Sequence, residues 1–108
     1  MRDEMLTNTG REARKAPRIA VTIGAGLRTQ GKPGDPATII DISTDGFRAE
    51  TLDAMPLGAN VWLKLRGLET LYAKVVRVDG VIIGCEFATP LHPAVVERMS
   101  AAAATSRR

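Results

Sequence analysis

Residues 39–50 read IIDISTDGFRAE, and this stretch decides how the chain folds. The apolar pair at its start belongs to a run that predicts a buried strand, and the alternation over residues 47–51 predicts a second strand. Between them stand Asp, Ser and Gly, which favour turns because Asp and Ser side chains bond nearby backbone amides and Gly accepts positive φ. The stretch therefore predicts two adjacent antiparallel strands joined by a turn.

The side chains around this turn are expected to face in different directions. We expect Ile40 and Ile42 to face the core, and Asp41 and Ser43 to point outward. An outward carboxylate can accept hydrogen bonds from the N1–H and exocyclic amine of guanine, and a serine hydroxyl can bond to a base or a phosphate. Gly46, which lacks a Cβ, would let a ligand approach the backbone closely. The two residues just before this glycine are expected to tolerate substitution best.

Four further strands and one helix complete the predicted architecture. The predicted strands, each a short run of alternating apolar residues, cover residues 19–24, 37–42, 47–51, 61–66, 71–76 and 81–87. Asp79 and Gly80 are the two residues expected to form a type I′ hairpin turn. From Pro93 the apolar spacing becomes helical, with Val95, Val96 and Met99 on one stripe.

Six short strands with turn signals between them favour an all-β fold, a closed antiparallel β-barrel with a short C-terminal helix, because closure removes exposed strand edges. The 108 residues fit one domain. We assign residues 1–10 to a flexible leader, 11–99 to the barrel domain with its basic arm, and 100–108 to the helix end and tail. No apolar run approaches the about 20 residues that span a bilayer, and the charged N-terminus lacks the apolar core of a signal peptide. We therefore expect a cytoplasmic protein with no membrane insertion.

Catalytic and metal-binding residues are scarce in this sequence. Cys85 is the single cysteine and His92 the single histidine, so no internal disulfide can form and a zinc site would lack ligands. Cys85 falls on the apolar face of a strand, and His92 precedes the helix, where a cap is favoured over a general base. The chain shows no nucleophile, base and oxyanion-donor set. We therefore expect no enzyme activity and neither a metal nor a cofactor.

A basic segment precedes the first strand of this chain, whose formal net charge is +3. Arg11, Arg14, Lys15 and Arg18 cluster there, and Pro17 prevents a regular helix, so the segment is expected to run extended onto the strand. Arginine offers a planar fork that pairs bidentately with phosphate or with the O6/N7 edge of guanine, and it also stacks on bases. Together with the carboxylate of the turn, the segment offers partners for both edges of a guanine and for phosphates. A compact guanine nucleotide would use all of these groups.

Three short motifs resemble those of one known family. Residues 14–18 (RKAPR) are similar to the RxxxR motif of the PilZ domain family, and residues 41–46 (DISTDG) resemble its D/N-x-S-x-x-G motif. Residues 83–87 (IGCEF) resemble the strand of that family that ends in GxEF. The order and spacing of the motifs extend the resemblance over roughly residues 11–99. It implies a six-stranded β-barrel that binds the bacterial second messenger cyclic di-GMP.

The resemblance also implies roles for individual residues. The implied ligand-binding residues are Arg14, Arg18, Asp41, Ser43 and Gly46, with Arg11 and Lys15 as additional candidates. The first two would clasp the guanines and phosphates from the N-terminal arm, and the other three would hold a guanine against the barrel. We expect the nucleotide to order this arm and to change the surface shown to a downstream protein partner. The chain would then act as a stand-alone signalling adaptor.

Two other functions remain open from the sequence. A ligand-independent protein-interaction domain would dock its partner through the face around Trp62 or through the C-terminal helix. A small basic barrel could instead bind nucleic acid without sequence preference, but an aromatic content of 4% is low for a stacking surface. We therefore expect no specific nucleic-acid partner.

Overall fold

Alternating apolar and polar side chains form six strands, and one helix follows them. The computed structural model describes residues 17–106, with side chains through Ala101. The strands are β1 (Ile19–Thr29), β2 (Asp35–Ile42), β3 (Gly46–Thr51), β4 (Asn60–Lys64), β5 (Leu71–Asp79) and β6 (Ile82–Phe87), and the helix is α1 (Pro93–Ser106). Within these residues, no helix has the length and apolarity needed to cross a membrane.

The strands close into an antiparallel barrel with the order β1-β2-β3-β6-β5-β4, and β4 pairs back with β1. The predicted barrel with a C-terminal helix is confirmed. Closure pairs both edges of every strand and so leaves no free edge. Because a barrel this narrow is filled by its own side chains, its outer face and loops are the surfaces that a ligand can reach.

The core is an apolar interior to which all six strands contribute. Ile39 and Ile83 are completely buried, and the rings of Phe47 and Phe87 lie 5.5 Å apart between centroids. The helix contributes Val96 and Met99, which are also buried, so its predicted apolar stripe packs on the barrel. Each such side chain contributes about 1.5–3 kcal/mol by leaving water. The helix is therefore part of the same folded unit as the barrel.

Strand β1 is longer than the sequence predicts. It continues to Thr29 because its second half pairs with β4, from Gly26 with Lys64 to Thr29 with Val61. These pairs are the contacts that close the barrel. Residues 25–29 lack the regular apolar alternation of the first half of the strand, so the sequence did not predict them as strand. They are strand because they pair with β4, which lies far along the chain.

The β5–β6 hairpin is present, but its turn lies one residue later than predicted. Asp79 pairs with Ile82, so the two turn residues are Gly80 and Val81 rather than Asp79 and Gly80. Gly80 has a φ of 64°, a conformation that a residue with a Cβ rarely adopts. Gly80 therefore supplies the positive φ that was predicted for it, but as the first residue of the turn rather than the second.

A β-bulge in β2 makes one prediction about the core wrong. Ile39 pairs with Ala49 and Asp41 pairs with Arg48, so Ile40 is an extra residue with no partner opposite it in β3. The strand therefore shifts its face between Ile39 and Asp41. As a result Ile39 and Ile42 are the fully buried residues, whereas Ile40 is only half-buried and lies outside the core.

Two further register shifts occur in strands β1 and β5. The β1 shift lies between Ala20 and Ile23, opposite the bulge of β2. The β5 shift lies between Val75 and Arg77. Bulges bend a strand and redirect the side chains beside them. Three strands of the barrel are therefore reshaped by such irregularities.

Candidate ligand-binding site

Two guanidinium groups meet one carboxylate on the outer face of the barrel. Arg18 Nη1 donates to Asp41 Oδ1 over 2.8 Å, and Arg48 Nε donates to Asp41 Oδ2 over 2.6 Å. The carboxylate side chain is 8% exposed, whereas the arginine side chains are 52% and 50% exposed. The two arginines therefore cover Asp41 while their own surfaces stay open to water. Each carboxylate oxygen keeps a further lone pair for a ligand.

Strand pairing accounts for this arrangement. Asp41 stands opposite Arg48 in β3 on one side and opposite Ala20 in β1 on the other, with Arg18 two residues before that alanine. In a regular strand Asp41 would share the core-facing side with Ile39, because residues two apart face the same way. The bulge of β2 instead directs the carboxylate toward the arginines. The predicted outward direction of Asp41 thus depends on the bulge.

Ser43 has a different position from the one predicted. It is buried, and its hydroxyl oxygen accepts hydrogen bonds from the backbone N–H groups of Asp45 over 3.1 Å and Gly46 over 3.3 Å. The Ser43 N–H in turn donates to the Gly46 carbonyl over 2.8 Å. The side chain faces the turn backbone rather than outward, which corrects that expectation. Contact between Ser43 and a ligand stays a prediction.

Gly46 is needed for the packing of β3 against β6. A Cβ built at this position would lie 2.0 Å from the carbonyl oxygen of Cys85 and 3.2 Å from the Cα of Glu86. Both are backbone atoms of β6, the neighbouring strand, and cannot rotate away. The glycine therefore permits the close approach of β3 and β6, whatever contact it makes with a ligand.

The backbone of the turn also anchors the chain that leads into the helix. The Asp45 carbonyl accepts a hydrogen bond from the Phe87 N–H, and the Thr44 carbonyl accepts one from the Leu91 N–H, each over 2.8 Å. Both interactions use main-chain atoms only. They therefore place no demand on the side chains at these two positions, which were expected to tolerate substitution best.

The remaining basic residues divide into two groups. Arg11, Arg14 and Lys15 lie outside the described residues, so their predicted contacts stay predictions. Arg48 is a site residue that the sequence analysis missed. The predicted antiparallel pairing of the two strands contained the necessary signal, because it places Arg48 opposite Asp41.

The single cysteine and the single histidine have structural positions. Cys85 is buried in the barrel core, and burial raises the pKa of its thiol from 9.0 to about 12, since the thiolate would be poorly solvated there. His92 Nδ1 accepts a hydrogen bond from the Ala94 N–H over 3.0 Å at the start of α1. The histidine is therefore the predicted helix cap. Across residues 17–106, no group of three or more His, Cys, Asp or Glu side chains is placed to hold a metal ion.

The face around Trp62 is occupied by its own neighbours. The Arg28 guanidinium lies 4.5 Å from the centre of the Trp62 ring, and the Tyr72 ring lies 5.1 Å away on the other side. These three residues stand opposite one another on β1, β4 and β5. The indole ring is therefore in contact with Arg28 and Tyr72 and does not form an open stacking surface.

The structure is thus a closed six-stranded barrel with two arginines gathered around one carboxylate on its outside. The chain belongs to the PilZ domain family, which its sequence matches over residues 12–102. This is a family of cyclic di-GMP receptor domains that act in binding and signalling rather than in catalysis. No curated protein sequence matches the chain significantly.

Proposed function

We propose that this chain binds cyclic di-GMP at the outer face around Asp41 and acts as a signalling adaptor. The observation that carries the proposal is the pair of guanidinium groups held against a single buried carboxylate. One of them, Arg18, belongs to the RxxxR motif, and the carboxylate belongs to the D-x-S-x-x-G motif. Two motifs separated in sequence are thus in direct contact.

The chemistry of guanine fits this cluster. Its N1–H and exocyclic amine are donors suited to the free lone pairs of Asp41, and its O6 and N7 accept from an arginine fork. Arg14 and Arg18 would bind the phosphates or the acceptor edge. We assign Ser43 and Gly46 to holding the guanine close to the turn.

Binding requires Arg18 to exchange partners. Its side chain is 52% exposed, whereas the Asp41 carboxylate is 8% exposed, so the guanidinium is free to turn toward a phosphate when another donor takes its place on the carboxylate. A charge-assisted hydrogen bond to a phosphate contributes about 1.5–3 kcal/mol. The exchange is therefore favourable for Arg18, while Arg48 keeps the carboxylate of Asp41 in position and a guanine replaces the lost donor.

The signalling step in this proposal is the placement of the basic arm, residues 11–18, over the barrel. A dianionic nucleotide neutralises the like charges of the arm, to which Arg11 and Lys15 also contribute. The changed surface then recruits a downstream protein. The proposal involves no cofactor, no metal and no specific nucleic acid, and it places the chain in the cytoplasm.

Isothermal titration with cyclic di-GMP tests the assigned site. We expect Arg18→Ala and Asp41→Ala each to weaken binding by about 10-fold or more, the effect of losing roughly 1.4 kcal/mol. Arg66→Ala is the matched control, since Arg66 is an exposed arginine in the turn between β4 and β5. If the wild type and both site variants bind alike, the assigned site is wrong.

A thermal-shift experiment separates this function from the alternatives. Stabilisation by cyclic di-GMP, and not by GTP or single-stranded DNA, is the expected result, because a ligand at 100 times its Kd adds about 2.7 kcal/mol. Stabilisation by DNA alone would indicate a nucleic-acid-binding barrel. No stabilisation by any of the three would favour a ligand-independent interaction domain.

A further inference from the structure

A row of opposed residues extends from the Asp41 site across the outer face of the barrel. Strand pairing places Ala20, Asp41, Arg48, Gly84 and Arg77 side by side, in that order, on β1, β2, β3, β6 and β5. We call these five positions the cross-strand row. At the far end of the row, Arg48 and Arg77 form a second pair of arginines, and Gly84 lies between them.

The bulge in β5 puts Arg77 into this row. In a regular strand Arg77 would share the core-facing side with Val75, which is 1% exposed. Val76 is the extra residue of the bulge, and beyond it Arg77 is exposed on the outer face. The bulge in β2 has the same effect on Asp41. Two strands thus use the same backbone device to direct a charged side chain toward one surface.

The backbone is uncovered between the two arginines. A Cβ built on Gly84 would have one neighbour within 4 Å, the Cβ of Arg77 at 3.4 Å. Adjacent strands lie about 4.8 Å apart, so Arg48 and Arg77 stand about 10 Å from each other across the glycine. This spacing leaves a shallow floor on which a flat ring can lie between two guanidinium groups. Gly84 is also the glycine of the GxEF motif, to which the proposed function assigns no role.

The surrounding charges favour a purine over a bare anion. Arg77 forms no ion pair within the described part of the chain. The next positions along β3 and β5, Glu50 and Asp79, are exposed carboxylates on the same face. A phosphate would be attracted by the arginines and repelled by these acids. Guanine has an acceptor edge for an arginine fork and a donor edge for a carboxylate, so it can use both.

We propose that Gly84 is the floor of a second guanine subsite, in which Arg77 binds the O6 and N7 atoms and Arg48 lies between the two bases. The inference rests on the proposed function, since cyclic di-GMP carries two guanines and the first is assigned to Asp41. It gives this chain a means of recognising both bases of the nucleotide.

Isothermal titration with two dinucleotides tests the subsite. Cyclic di-GMP has two guanines, whereas 3′,3′-cyclic GMP–AMP has one and can fill only the Asp41 position. We expect the wild type to bind cyclic di-GMP about 10-fold more tightly than the hybrid, the discrimination typical of one bidentate arginine–guanine pair. Arg77→Ala should bind both equally, because alanine offers no hydrogen bond to either purine. Arg77→Lys should keep only part of the preference, because an ammonium group can donate to O6 and N7 but lacks the planar fork, and Arg66→Ala should behave like the wild type.

The outcomes distinguish the two levels of the proposal. A wild type that binds neither dinucleotide overturns the proposed function and the subsite together. Binding that depends on Arg18 and Asp41 but is equal for the two dinucleotides overturns the second subsite alone. An undiminished preference in Arg77→Ala also overturns it, because the discrimination between the two bases would then not come from Arg77. Melting temperatures of the Arg77 variants should match the wild type, so a loss of affinity cannot come from unfolding.

Discussion

Substitution of Gly46 by alanine should destabilise the barrel strongly even without any ligand. The new Cβ would lie 2.0 Å from the Cys85 carbonyl oxygen, whereas real Cβ atoms essentially never come within 3.0 Å of such an atom. Strand β3 must therefore move by about 1 Å away from β6. The obstacle is backbone, so no side-chain rotation can relieve it.

The magnitude follows from what this movement disturbs. Inserting a methyl group into a packed interior costs about 1–3 kcal/mol. The shift also strains the hydrogen bond from Ser43 N–H to Gly46 O and that from Phe87 N–H to Asp45 O, both 2.8 Å long. Each contributes about 1 kcal/mol. We expect a loss of about 2–4 kcal/mol, which corresponds to a melting temperature lower by about 8–30 °C for a domain of this size.

Urea and thermal unfolding followed by circular dichroism measure this loss directly. Gly24→Ala is the matched control, because Gly24 is exposed in β1 and a Cβ built there has no neighbour within 4 Å. Its stability should change by no more than about 0.5 kcal/mol. If Gly46→Ala has the same urea midpoint and melting temperature as the wild type but fails to bind cyclic di-GMP, the packing argument is refuted. The glycine would then be needed only for the approach of the ligand.

Three further predictions concern other parts of the structure. Because the folded-state pKa of Cys85 is raised from 9.0 to about 12, unfolding releases a proton in that range, and the stability that the buried thiol contributes is lost as pH rises above 9. The stability advantage of the wild type over Cys85→Ala in urea unfolding should therefore shrink between pH 8 and pH 10; a constant difference would contradict the buried-thiol assignment. His92→Ala should lower stability by about 0.5–1 kcal/mol by removing the helix cap, and His92→Asp should restore it; equal melting temperatures for all three proteins would exclude a capping role. Arg48→Ala should cost about 1–3 kcal/mol in urea unfolding because it removes one of two donors from the Asp41 carboxylate, whose side chain is only 8% exposed, and an unchanged stability would contradict a structural role for the pair.

Local sequence patterns were sufficient to predict the architecture of the barrel. Alternation of apolar residues is a property of each strand by itself, and the turn residues between strands signal reversal without reference to distant partners. The helix could be predicted for the same reason, since Pro93 and the spacing of Val96 and Met99 are local. The second half of β1 and the last three residues of β5 were missed, because these segments are strand through their pairing with β4 and β6.

The candidate site could be predicted only in part. The motifs identified Arg18 and Asp41, and the structure places these two side chains in contact. Arg48 was missed although the predicted strand pairing places it opposite Asp41. The packing role of Gly46 was missed because it depends on how closely β3 approaches β6. Ser43 was expected to face outward, but its hydroxyl is bonded within the turn.

The sequence by itself determined the number and order of the strands, the helix and the family to which the chain belongs, because these follow from periodicity and short motifs. Only the tertiary structure decided how the side chains near Ile40 are arranged and which way Arg77 points. Alternation counted from Ile42 places Asp41 outside, whereas alternation counted from Ile39 places it in the core, and the bulge at Ile40 is what allows both isoleucines to be buried. For Arg77, alternation would give a place in the core beside Val75. A bulge arises where one strand has a residue more than its partner between two pairs, and that mismatch exists only once the strands are aligned. The binding surface of this barrel is therefore a consequence of strand register.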